Sequence, residues 1–135
     1  RINVHGGMQK HGVNCWETCA PVVNWFSIRL CLILTLIFSW TTRQIDFVLA
    51  FPQAEAECDL FMQLPRGLVF EGVHQSTHCL KLKRNLHGSR QAERVWNQHL
   101  VDGLVNKLKF TQSTVDECVF CYYLCCLSFF LCVRR

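Results

Sequence analysis

Residues that would share one helical face recur at intervals of three and four between positions 90 and 107, which predicts an amphipathic helix. They are Ala92, Val95, Trp96, His99, Leu100, Gly103 and Leu104. Ser89 precedes this stretch and is a residue type that caps helices. A second helix is predicted from about Trp25 to Ser39, with Asn24 as its N-cap. Because that segment is apolar nearly all round, we expect it to be buried on most sides.

Strand signals occupy much of the rest. The run 44–51 is apolar almost throughout and stops at Pro52, which predicts a central strand covered on both faces. Residues 60–64 precede a turn, and residues 77–84 alternate between leucine and lysine, as in a half-buried strand. Residues 1–7 are interpreted as an edge strand, and the chain from Cys118 onward is strand-like. This order favours an α+β fold with a mixed sheet and two main helices.

Composition limits the class of protein. The 135 residues are 50% hydrophobic and 18% charged, which fits one small folded domain rather than a disordered tail. Ten cysteines would suit a secreted disulfide framework, but the first ten residues contain no apolar signal-peptide core, so we favour reduced thiols in an intracellular setting. No membrane span is expected, because only 13 residues separate Arg29 from Arg43. The chain lacks an initiator Met, and we expect a fragment or a broken reading frame.

Asp46 is the most informative single residue, because it interrupts a run that is predicted to be buried. A buried carboxylate needs a hydrogen-bond partner, an opposite charge or a metal ion. The alternative is that Asp46 lies near the strand end and pairs with a neighbour such as Arg43. One carboxylate alone does not form a magnesium site, since hard cations require several oxygen ligands.

A basic stretch follows, with five cations within 14 residues: Lys81, Lys83, Arg84, Arg90 and Arg94. This density suits a phosphate backbone. An ordinary solvated face is the competing interpretation. The zinc signals are weaker: the pairs His74/His78 and Cys118/Cys121 lack a matched second pair, so no zinc is expected. The sequence has no glycine-rich phosphate loop and no nucleophile-elbow or zinc-protease motif.

Five ordered segments together resemble the reverse transcriptases of copia-type retrotransposons. Residues 12–23 (GVNCWETCAPVV) are similar to the block GVDYxETFAPVV, and residues 43–51 resemble the strand QxDVxxAF. Residues 60–67 (LFMQLPRG) are similar to VYMxxPxG. Residues 86–96 (LHGSRQAERVW) resemble LYGLKQAPRxW, and residues 116–120 (DECVF) resemble DxCVF. Each block is weak alone, but five in this order are specific.

The resemblance implies part of the fingers and palm of a right-hand polymerase. It implies a template-primer of RNA or DNA and deoxynucleoside triphosphates as partners, with Mg²⁺ as cofactor. Asp46 would be the catalytic, metal-binding aspartate, with the carbonyl of Phe47 as a further ligand. Arg1, Phe51 and Gln91 would lie at the nucleotide. The cations expected at the nucleic acid are Lys81, Lys83, Arg84, Arg90 and Arg94.

Departures from the family pattern affect the expected activity. The family completes its metal site with the two aspartates of a YVDD motif, whereas this sequence has no consecutive aspartates. We therefore expect a partial reverse transcriptase over residues 1–120, a Cys-rich apolar tail of non-family sequence over 121–135, such as a shifted reading frame would produce, and no catalysis. The alternatives are a non-catalytic nucleic-acid-binding module and a small zinc or membrane-associated protein built around the tail. Because 121–135 contain no Gly, Pro, Asn or Asp, we do not expect a hairpin there.

Overall fold

The structure is a computed structural model that describes residues 3–68, 70–124 and 127–132. The chain divides into two compact units, the first formed by Arg1–Cys19 and Leu49–Trp96 and the second by Ala20–Val48 and Asn97–Arg135. Helices and strands are both present, so the α+β prediction is confirmed. Both sheets are antiparallel, however, and the prediction of a mixed sheet is wrong. No helix within the described part of the chain has the length and apolar character needed to cross a bilayer.

The first unit contains the short helix α2 (Ala50–Gln53) and the strands β1 (Glu55–Gln63) and β2 (Cys79–Arg84). The strands pair with Leu60 opposite Leu82 and Met62 opposite Leu80. The alternation predicted for residues 77–84 is confirmed, because the leucines of β2 are partly covered and its lysines are exposed. The pairing becomes irregular between Glu55 and Leu60.

The N-terminal segment packs closely against the loop that follows β2. The Val4 amide donates to the His87 carbonyl at 2.8 Å, and residues Gly6–Met8 form a 3₁₀ turn. A Cβ atom on Gly6 would lie 2.1 Å from the Gly88 carbonyl oxygen, and Gly88 itself has φ +92°. The predicted edge strand is therefore wrong over residues 3–7, since these glycines allow a backbone-to-backbone approach that strand pairing does not provide, and residues 1 and 2 lie outside the described residues.

Helix α3 (Ala92–Asp102) lies where the sequence predicts the amphipathic helix, and a π-helical turn, Gly103–Lys107, continues it. Ser89 does not have the expected side-chain role, because its hydroxyl donates to the Leu86 carbonyl at 2.7 Å. Gln9 instead forms a hydrogen bond at the start of the helical segment, since its Oε1 accepts from the Arg90 amide at 2.8 Å. A hydrogen bond across 81 positions could not be identified from local sequence.

The second unit contains helix α1 (Trp25–Ile37) and a sheet of order β3 (Thr111–Gln112), β4 (Val119–Leu124) and β5 (Leu127–Cys132). Strands β4 and β5 pair along their whole length, so the expectation that the tail forms no hairpin is wrong. The register joins six residue pairs, from Val119 opposite Cys132 to Leu124 opposite Leu127, although the sequence of 121–135 offers none of the favoured turn residues.

Helix α1 confirms the predicted helix and its cap, since the Asn24 side chain accepts from the Phe26 amide at 2.9 Å. Its predicted burial is wrong, because no residue of α1 is buried and Leu36 is 80% exposed. A helix that is apolar on every side needs neighbours on every side, and the second unit supplies one three-stranded sheet, which α1 approaches at β5.

The predicted central strand over residues 44–51 is also wrong. Residues 41–47 have no regular secondary structure, and Ala50 and Phe51 begin α2. Asp46 is exposed rather than buried, and Val48 is 77% exposed. An apolar run becomes a strand only when neighbouring strands accept its hydrogen bonds, and among the described residues both sheets are built from other segments.

Asp116 anchors the start of α1. One carboxylate oxygen accepts from the Ser27 hydroxyl at 2.5 Å and from the Asn24 amide at 3.0 Å, and the other accepts from the Cys118 amide at 2.9 Å. These bonds stabilise the ionised form, with Ser27 as the largest contribution, and hold the pKa of Asp116 below its ordinary value of 3.8. The carboxylate thus ties the loop before β4 to the N-terminus of α1.

We predict that Asp116→Asn destabilises the second unit by about 1 kcal/mol, because a neutral amide replaces a carboxylate that accepts three hydrogen bonds. Because the folded-state pKa is lowered, this contribution is complete above about pH 4 and is lost as the pH falls through the folded-state value. Urea unfolding between pH 3 and pH 7 measures it, and the variant should have the shallower pH dependence. Asp102→Asn, at an exposed position in the same unit, is the matched control. Equal pH profiles for the wild type and Asp116→Asn would contradict the assignment.

Candidate nucleic-acid interface

Asp46, the expected catalytic and metal-binding residue, lies on an exposed segment of the second unit without regular structure. Phe47, whose carbonyl is the expected further ligand, follows it and is 42% exposed. Within the described residues, no group of three or more His, Cys, Asp or Glu side chains could hold a metal ion. The described side chains around Asp46 therefore do not fit Mg²⁺, which requires near-octahedral oxygen ligation.

Phe51, an expected nucleotide contact, lies in α2 and not in a strand. Its ring meets the His87 ring edge-on with centroids 4.8 Å apart, so the two aromatic groups support one another inside the first unit. Helix α2 begins after Leu49, which adopts a left-handed backbone conformation with φ 52°. Arg1, the other predicted nucleotide contact at the start of the chain, lies outside the described residues.

Three of the five predicted nucleic-acid contacts are engaged within the first unit. Lys81 Nζ forms an ion pair with Asp59 at 2.7 Å, with both side chains exposed. The Arg84 guanidinium donates to the Gln53 carbonyl at 2.9 Å and so ties the end of β2 to α2. Arg94 donates to the Glu17 carbonyl at 2.9 Å and also forms an ion pair with Glu57.

The Arg94 contacts connect three parts of the first unit, since its side chain, 14% exposed, reaches from α3 to the Glu17 loop and to β1. Such a shielded pair is worth more than an exposed one, because solvent screens it less. Lys83 and Arg90 differ: both residues are exposed, and neither side chain forms an ion pair with the residues that the structure describes. Of the five predicted contacts, Lys83 and Arg90 are therefore the two whose charge is most available to a ligand.

Gln91, the remaining predicted nucleotide contact, is only 2% exposed. Its Oε1 accepts from Gln9 Nε2 at 2.9 Å, and its Nε2 donates to Cys58 Sγ at 3.6 Å. Gln9 Nε2 and the Cys58 thiol both meet the Asn14 carbonyl, at 3.2 Å and 3.6 Å. Gln9, Asn14, Cys58 and Gln91 thus close a ring of hydrogen bonds, here called the Gln9–Gln91 network.

The network gives Gln91 a structural position that the sequence does not indicate. Burial without partners would cost each amide group about 1–3 kcal/mol, and the ring removes that penalty for Gln9 and Gln91 together. Gln9 and Cys58 were not among the residues selected from the sequence, and no local motif marks them. Only the approach of three distant segments makes them partners.

Comparisons with known proteins place these residues in a family context. The family described as "Reverse transcriptase (RNA-dependent DNA polymerase)" matches residues 1–133. The Retrovirus-related Pol polyprotein from transposon TNT 1-94 of Nicotiana tabacum is 31% identical over 120 residues, which are 89% of this chain and 9% of that polyprotein. The corresponding polyprotein from transposon RE1 of Arabidopsis thaliana is 32% identical over 120 residues, 89% of this chain and 8% of its own length. No solved structure matches the chain.

We predict that Gln91→Leu destabilises the first unit by about 1–3 kcal/mol, because it removes the hydrogen bond from Gln9 and the hydrogen bond to Cys58 and leaves the Asn14 carbonyl as the remaining acceptor of Gln9 Nε2. Urea unfolding followed by tryptophan fluorescence measures the change. Gln98→Leu makes the same chemical change at an exposed position of α3 and should cost less than about 0.5 kcal/mol. A Gln91→Leu chain as stable as wild type would show that the network contributes nothing.

Proposed function

This chain belongs to the reverse transcriptase (RNA-dependent DNA polymerase) family, and we propose that it is a copia-type retrotransposon domain that does not itself catalyse DNA synthesis. The curated relatives are Pol polyproteins of plant transposons, of which this chain spans less than a tenth. We further propose that the chain corresponds to parts of the fingers and palm, because the five sequence blocks in residues 12–120 occur in the order that the family shows.

The carboxylate inventory supports the absence of catalysis. The family chemistry uses Mg²⁺ held by several carboxylates, which would activate the primer hydroxyl and neutralise the leaving pyrophosphate. The aspartates of this chain are Asp46, Asp59, Asp102 and Asp116, and no two are adjacent. Asp59 pairs with Lys81, and Asp116 accepts hydrogen bonds from Asn24 and Ser27 at the start of α1. Asp46 is exposed and remains the candidate for the family's first metal ligand, and the part of the chain that the structure describes holds no cluster of ligands that would complete a site around it.

We predict that the purified chain extends no primer on an RNA or DNA template in Mg²⁺ or Mn²⁺. The physical reason is that one candidate carboxylate cannot supply the ligand set for two divalent cations. Gel-based primer extension with labelled primer measures the activity, and an active reverse transcriptase provides the positive control. Extension above background that disappears in Asp46→Asn would overturn the proposal, because it would show Asp46 working in a complete site.

A second function, binding of nucleic acid without catalysis, is favoured by Lys83 and Arg90. These two exposed cations lack ion-pair partners among the described residues, whereas Lys81 and Arg94 have them. A phosphate backbone is the ligand that such cations attract, and it needs no base-specific contact. We propose weak, sequence-independent binding to an RNA–DNA hybrid. Among the five cations, Lys83 and Arg90 contribute more to the affinity than the other three.

We predict that Lys83→Gln combined with Arg90→Gln lowers the affinity and reduces the slope of log K against log salt by about 2, because each phosphate contact releases about one counterion. Fluorescence anisotropy of a labelled hybrid between 50 and 300 mM NaCl measures both quantities. The matched control, Lys81→Gln with Asp59→Asn, removes one cation together with its ion-pair partner and should leave the slope nearly unchanged. An unchanged slope in the Lys83/Arg90 variant would refute the assignment.

A further inference from the structure

Cys15 and Cys58 are neighbours in the first unit, although they lie far apart in the sequence. Cys58 Sγ lies 3.6 Å from the Asn14 carbonyl oxygen. That carbonyl belongs to the peptide bond that links Asn14 to Cys15, so standard peptide geometry places Cys58 Sγ within about 6.5 Å of the Cys15 Cα atom. The limit of about 6.5 Å applies to the Cys58 sulfur and not to its Cα atom, whereas the Cα atoms of a disulfide lie about 4.4–6.8 Å apart. Formation of the bridge therefore needs side-chain rotation together with a shift of the Cys58 backbone towards Cys15.

The surroundings of the two thiols differ. Cys15 is 1% exposed, in a loop that the Gly12 amide closes by donating to the Cys15 carbonyl at 2.9 Å. Cys58 is half-buried, and burial is the main cause of its raised pKa. The carboxylates of Glu57 and Asp59 and the Cys15 thiol raise that pKa further, while the bond from Gln91 lowers it. Both residues hold free thiols in this structure.

The backbone at Cys58 can move more than a regular strand can. Cys58 lies between Glu55 and Leu60, where the pairing of β1 with β2 is irregular. A break in the ladder locally disrupts the strand's hydrogen bonding, so fewer bonds oppose a shift of Cys58 towards Cys15. The raised pKa keeps the Cys58 thiol protonated near neutral pH. Because the thiolate is the nucleophile, disulfide exchange at Cys58 is slow near neutral pH and faster at higher pH.

We propose that Cys15 and Cys58 form a reversible disulfide when the protein meets a low-molecular-weight disulfide such as glutathione disulfide. The accessible Cys58 thiolate attacks one glutathione sulfur and expels glutathione thiolate, which leaves a mixed disulfide. The Cys15 thiolate then attacks the Cys58 sulfur and expels the second glutathione. Two protein thiols lose two electrons and two protons in total, and one glutathione disulfide becomes two glutathiones.

The new bond would fix the Asn14–Cys15 loop to β1 at the site of the Gln9–Gln91 network. The Cys58 hydrogen atom that meets the Asn14 carbonyl would be lost, but the covalent bond would hold the same two segments together. Gln9 Nε2 would continue to serve the Asn14 carbonyl. The oxidised first unit should therefore unfold at a higher urea concentration than the reduced one, because the bridge restricts the unfolded chain.

Peptide mapping of the full-length chain tests the proposal. The chain is incubated with glutathione disulfide at pH 8.5, remaining thiols are alkylated, and trypsin is applied without reductant. Cleavage releases residues 11–29, with Cys15 and Cys19, and residues 44–66, with Cys58. A Cys19→Ser chain leaves Cys15 as the single thiol of the first peptide, so a cross-link between the two peptides identifies the pair.

We expect the 11–29 to 44–66 cross-link to be the main disulfide of the native Cys19→Ser chain and to fall to the level of the other pairings in 8 M urea. The cross-link should be absent from a chain with both Cys15→Ser and Cys19→Ser. Equal yields in buffer and in urea, or a native sample in which other pairings dominate, would overturn the proposal. Comparison of native and unfolded samples of the same chain keeps the test independent of whether a variant folds.

Discussion

The first unit depends on a ring of hydrogen bonds around two buried amides. Gln9 and Gln91 would each be costly to bury alone, yet together with Asn14 and Cys58 they satisfy one another and join the N-terminal loop, β1 and the start of α3. Gln9 also accepts from the Arg90 amide, so the same side chain meets the first turn of the helical segment. Loss of Gln91 would remove a hydrogen bond from Gln9 and another from Cys58 at once, so the members of the network depend on one another.

In the second unit, the Asp116 carboxylate links helix α1 to the loop before β4. Asp116 accepts hydrogen bonds from Ser27, from the Asn24 amide and from the Cys118 amide, and thereby positions α1 against the loop before β4. The carboxylate is favoured there because the N-terminus of a helix carries unsatisfied amide groups and a partial positive charge. The helix itself presents apolar side chains to solvent along its whole length, so its position owes more to this anchor than to burial.

The cations show why a charge run in a sequence is not yet a binding surface. All five basic residues between Lys81 and Arg94 satisfied the same sequence criterion, but the structure gives them different environments. Arg94 is shielded by Glu57, and Arg84 serves the backbone of α2, while Lys83 and Arg90 remain exposed. Partners such as Glu57 and Gln53 come from another segment, so no inspection of the basic stretch alone could separate structural cations from available ones.

The sequence by itself determined what depends on near neighbours. The cap of α1, the periodicity of α3, the alternation in β2 and the five family blocks are local patterns, and each was predictable from residues within a few turns of one another. Tertiary structure decided the rest: among the described residues no strand pairs with the run around Asp46, β4 pairs with β5, and Gln91 forms a hydrogen bond with Gln9. Sheet pairing and buried polar hydrogen bonds require a partner far along the chain, and the local sequence does not identify that partner.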